Sequence, residues 1–142
     1  MYGKAVPIQE IEQSEIALTG IEGIAGELHD KRTVIALILF GSAARGQQRP
    51  FSDIDLCIVA AGDTSEEERL DLKSYGSRKI EIHLLDELPL AIRFRVVREG
   101  KLAFCKDGLA LHRVIADIVR QYLDNAWLID MHSRHAIGIS RS

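Results

Sequence analysis

Leu39-Phe40-Gly41-Ser42, followed after ten residues by Asp53-Ile54-Asp55-Leu56, decides the fold of this 142-residue chain. Upstream, Thr33 to Phe40 is a β-branched-rich apolar run closed by Gly41, the pattern of a strand buried on both faces. Gly-Ser-Ala-Ala-Arg-Gly then makes a turn, and residues 46–52 form a breaker-rich polar loop. A second strand is expected over 53–60. Side chains alternate along a strand, so Asp53 and Asp55 share a face with Cys57 and Val59, while Ile54, Leu56 and Ile58 take the other.

Outward from this centre, the apolar spacing from Ile8 to Leu28 predicts a helix over residues 8–29. Gly20, Gly23 and Gly26 lie three apart within it, but a dinucleotide fingerprint needs a preceding strand; close helix packing or a weakened helix accounts for them better. Thr64 or Ser65 can cap a short acidic helix running to about Lys73. Ile80 to Leu85 reads as a third strand, Glu87 to Glu99 as a helix ended by Gly100, and Lys101 to Cys105 as a fourth strand. A long helix from Leu109 to about Met131 follows, leaving 131–142 as a tail or a partner-binding segment. The expected architecture is one α/β (α+β) domain over 1–142, a small mixed β-sheet packed with helices.

Composition bounds the function. Hydrophobic residues are 46% and charged residues 27%, which excludes a disordered or collagen-like chain. The longest apolar run, Val34 to Phe40, is far short of the roughly 20 residues that span a bilayer, and no signal segment opens the chain, so a cytoplasmic location is the expectation. A net charge of −3 disfavours direct nucleic-acid binding. Cys57 and Cys105 are too few for a disulfide framework and read as buried thiols.

Two carboxylates sharing one strand face beside a core repel unless a cation lies between them or one is protonated. A hard divalent ion such as Mg²⁺, which takes few protein oxygens and completes its shell with water and phosphate, resolves this; an ordinary polar strand end in solvent is the plainer account. Gly41-Ser42 adds a turn whose amides can bind phosphate, with the Ser42 hydroxyl either helping or capping a helix. Glu81 shares a face of the third strand with Lys79 and His83, opposite Ile80, Ile82 and Leu84, and could supply a third acid. Arg45 and Arg49 could touch phosphates or a partner. Tyr122 reads as packing within the last helix. His132 and His135 lack the further ligands of a zinc site.

These residues resemble the Gly-Ser-x10-Asp-x-Asp signature of the minimal nucleotidyltransferases in the DNA polymerase β superfamily. With Arg45-Gly46, Ser52, Arg98-Glu99-Gly100-Lys101 and Tyr122-Leu123-Asp124, the likeness runs over about residues 32–125 and is greatest to MntA-type antitoxins. It implies a DNA polymerase β-like fold, with Gly41, Ser42 and Arg45 on the triphosphate of ATP. It also implies two Mg²⁺ ions on Asp53, Asp55 and Glu81, although Glu81 stands where the family usually has Asp and could act instead as a base. The implied activity is transfer of AMP from ATP to a hydroxyl, a tyrosine of a HEPN-domain toxin. Inhibition of the toxin by contact alone, or modification of a small molecule, are the competing readings.

Overall fold

The computed structural model describes residues 9–10, 21–41 and 54–141, with side chains for 21–41 and 54–128. Five strands form one mixed sheet: β1 (Gln9–Glu10), β2 (Val34–Phe40), β3 (Ile54–Ala60), β4 (Ile80–Leu84) and β5 (Lys101–Cys105), in the order β1-β5-β2-β3-β4. β2 lies antiparallel to both β3 and β5, while the outer pairs β3/β4 and β1/β5 are parallel. The helices are α1 (Glu22–His29), α2 (Glu66–Lys73), α3 (Leu90–Glu99) and α4 (Gly108–Arg141), with a 3₁₀ turn over Leu85–Glu87.

The central place of β2 explains its composition. Leu37 and Leu39 meet Ala25 and Leu28 of α1 and Leu72 of α2 on one face of the sheet. Ala36 and Ile38 meet Val96 and Val97 of α3 and the Leu111, Ile115 and Ile118 stripe of α4 on the other. A strand covered on both sides has no use for polar residues. The same division assigns Ile54, Leu56 and Ile58 to the first face and Cys57 and Val59 to the second, as alternation requires.

Local chemistry fixes the connections. Ser65, rather than Thr64, caps α2 through a reciprocal capping box with Glu68, and the Thr64 hydroxyl donates to the Ala61 carbonyl instead. Lys106 donates its Nζ to the carbonyls of His29 and Lys31, fastening the end of α1 to the strand that follows α3. At Gly100 a Cβ would sit 2.5 Å from both Ile38 Cγ2 and the Val96 carbonyl oxygen, so only glycine lets the chain pass from α3 into β5 against the central strand.

Four expectations need correction. The stretch expected as helix over 8–29 contains the two-residue β1, whose pairing with Lys101 and Leu102 comes from tertiary contact; the helix is described only over Glu22–His29. The helix expected from Glu87 begins at Leu90, because Pro89 in an extended conformation separates it from the 3₁₀ turn. The last helix continues to Arg141, past the expected end near Met131. Cys57 is fully buried, but Cys105, the last residue of β5, is only half-buried.

Candidate active site

The site is built where β2 ends and β3 and β4 begin. Gly41 leaves β2 with φ +81°, a left-handed conformation that glycine takes without penalty. A side chain there would also collide with its neighbour: a Cβ would stand 2.6 Å from Asp55 Oδ2. The turn therefore folds directly over the carboxylate, and Asp55 is paired across the antiparallel ladder with Phe40.

On the other side of Asp55, the parallel ladder sets Asp55 opposite Glu81 and Cys57 opposite His83. His83 Nε2 lies 3.4 Å from Asp55 Oδ1 and 3.6 Å from Glu81 Oε1, and one ligand atom from each of the three falls within 4.8 Å of the others. The side chains of Asp55 and His83 are 28% and 25% exposed and Glu81 is 61% exposed, so the cluster grades from sheltered to open along the sheet edge. The ring of Phe40 meets the imidazole edge-on at 5.6 Å. Deeper on the same face, burial pushes the Cys57 thiol well above its ordinary pKa, which keeps it a neutral packing group.

Beside Asp55 opens a cavity of about 330 Å³ lined by Phe40, Gly41, Ile92, Arg95 and Glu99. Arg95, 3.8 Å from Glu99, brings a guanidinium from α3 to the rim. A larger cavity of about 390 Å³ lies at the far end of this sheet face, among Ile35, Val59, Leu85, Arg93 and Val114, and includes none of these residues.

Of the six residues expected to act, the structure brings Gly41, Asp55 and Glu81 together; Ser42, Arg45 and Asp53 lie outside the described residues. His83 and Arg95 join them. Sequence reading placed His83 on the face of Glu81 but gave it no role, and the Arg95–Glu99 spacing on one face of α3 was the available signal for the other. Tyr122 packs as expected, stacked on Phe94 with ring centroids 3.9 Å apart. Two carboxylates and an imidazole nitrogen whose ligand atoms lie within 4.8 Å of one another could hold a divalent cation, and the open side of Glu81 leaves room for water or phosphate.

A glycine turn thus lies over a strand-borne carboxylate, with a second acid in register beside it. Residues 22–108, more than half of the chain, match the family described as polymerase beta, nucleotidyltransferase, and the chain belongs to that family. Over 71 residues it is 30% identical to a Methanocaldococcus jannaschii protein described as a protein adenylyltransferase, MJ1547. That stretch is 50% of this chain and 56% of the relative, so the chain spans little more than half of the relative's length.

Among solved structures, it superposes with a TM-score of 0.60 at 20% identity on a chain of a toxin–antitoxin complex with AMP-PNP, covering 84% of this chain and 96% of that one. The TM-score is 0.57 at 16% identity against a chain from the complex of a tri-AMPylated Shewanella oneidensis HEPN toxin with its MNT antitoxin, covering 87% and 98%. Such identities speak to fold. The mixed-sheet architecture and the family resemblance read from the sequence are both borne out.

Proposed function

We propose that the protein is a nucleotidyltransferase antitoxin that moves AMP from ATP to a tyrosine hydroxyl of a HEPN-domain toxin. The observation that carries this reading is the convergence of the Gly41 turn, Asp55 and Glu81 at one end of the sheet in a chain of this family. The acceptor oxygen attacks the α-phosphorus, the bond from that phosphorus to the bridging oxygen breaks, and pyrophosphate leaves in line. Positioning and charge neutralisation supply most of the rate.

In this reading Gly41, Ser42 and Arg45 cradle the triphosphate, and Arg95 meets it from the cavity rim. Asp53 and Asp55 would hold one Mg²⁺, and Asp55 with Glu81 would hold a second. Bound there, the ions offset phosphate charge and lower the pKa of the attacking hydroxyl. Glu81, more open than Asp55, stands where it can accept the proton that the hydroxyl gives up.

The exposed Leu123, Trp127 and Leu128 on α4 support a protein acceptor, since they offer an apolar surface for docking. ATP as donor suits a cytoplasmic location; among the described residues no helix is long and apolar enough to cross a membrane. Incubation with labelled ATP, Mg²⁺ and a HEPN-domain toxin, followed by mass spectrometry of the toxin, should show a gain of one or more AMP units. The gain should vanish with Asp55→Asn. Tight binding of the toxin without any gain would replace this reading with inhibition by contact.

A further inference from the structure

His83 is the residue at the site that the carboxylate pattern leaves unexplained. Its direct neighbour across the parallel ladder is Cys57, one pleat farther from the strand start than Asp55. Its imidazole nevertheless comes back toward the acids, with Nε2 within 3.6 Å of an oxygen from each. Phe40 lies edge-on against the ring.

The distances exceed those of a direct ion pair. An imidazolium paired with a carboxylate closes to about 2.7–2.9 Å. Neighbouring ligands each about 2.1 Å from one shared ion stand about 3.0 Å apart in octahedral geometry and about 3.4 Å in tetrahedral geometry. Separations of 3.4 and 3.6 Å from His83 Nε2 are longer than a direct pair, and a shift of about 0.5 Å in the imidazole would bring it to the octahedral spacing on a shared ion. A nitrogen in the ligand set also changes the choice of ion, because Mg²⁺ prefers oxygen alone whereas imidazole suits first-row transition metals.

We propose that His83 is a ligand, with Asp55 and Glu81, of the second ion, and that this position takes a transition ion such as Mn²⁺ in preference to Mg²⁺. The inference rests on the cation that the proposed function assigns to Asp55 and Glu81.

The test uses the full chain labelled with ¹⁵N-histidine and titrated with Mn²⁺. Hyperfine spectroscopy of the bound ion should show direct nitrogen coupling that is lost in His83→Gln, and Mn²⁺ affinity should fall tenfold or more while Mg²⁺ affinity changes less than about twofold. Should His83→Gln unfold by circular dichroism, His83→Asn and the wild-type NMR spectrum decide: substoichiometric Mn²⁺ should broaden the His83 ring signals before those of His29, His112, His132 and His135.

Bound Mn²⁺ without nitrogen coupling, or unchanged Mn²⁺ affinity in a folded His83 variant, overturns the inference. AMP transfer measured in parallel with Mg²⁺ separates the two claims. Transfer that persists without nitrogen coupling leaves the proposed function standing, whereas loss of both transfer and cation binding removes the two together.

Discussion

Replacing Gly41 by alanine tests the geometry of the site most directly. At φ +81° an L-residue pays about 1–2 kcal/mol relative to glycine. The new methyl would also stand 2.6 Å from Asp55 Oδ2, about 0.8 Å short of the 3.4 Å at which ordinary contact begins. Either the turn lifts or the carboxylate retreats, and a displacement approaching 1 Å costs on the order of 100-fold in rate. Gly41→Ala should therefore lower the melting temperature by roughly 3–8 °C and AMP transfer by about 100-fold. Gly62→Ala is the control, since a Cβ there meets nothing within 4 Å. The assay pairs thermal unfolding with initial rates of label transfer. A Gly41→Ala protein that transfers AMP at the wild-type rate would show that the turn does not position Asp55, and the site as described would be wrong.

Removing the rim guanidinium with Arg95→Ala should lower kcat/KM for ATP by about 10- to 100-fold, as expected for loss of a charge-assisted phosphate contact, with little change in melting temperature. Gly26 lies exposed in α1, where a Cβ would meet nothing, so Gly26→Ala should stabilise the chain by about 0.5–1 kcal/mol in urea unfolding. The Arg69 guanidinium, forked onto Asp86 at 2.6 and 2.8 Å, holds that carboxyl below its ordinary pKa. The resulting stability is fully present above the unfolded carboxyl pKa of about 3.9 and is lost as pH falls through the lower folded value. With Asp86 half-exposed, screening limits it to about 1 kcal/mol, and Asp86→Asn should flatten the acid limb of a stability–pH curve by that amount.

The central strands were legible because burial on both faces leaves an unbroken apolar run, and β4 because its exposed face alternates. The Gly41 turn followed from a glycine at a strand end, and the faces of Asp55 and Glu81 from a period of two, whereas their register across the parallel ladder is set by tertiary pairing. β1 was hidden, since two residues carry no periodicity and their conformation is set by Lys101 and Leu102, more than ninety positions away. Arg95 was obscured for a related reason: a helix that follows β4 in the chain returns it to the end of β2. His83 was placed on the correct face, but strand alternation reports direction rather than lean, and its lean toward Asp55 is a matter of tertiary packing.

Among the described residues, β4 pairs only with β3, so Glu81 and His83 ride on an outer strand while Asp55 sits on its inner neighbour. An ion gripped by all three would act as a clasp, tying the border of the sheet to its interior and adding its binding free energy to the local opening cost of β4. Backbone amides from Ile80 to Leu84 should then exchange with deuterated water more slowly when the ion is present, making the margin of the sheet a reporter of occupancy independent of any reaction.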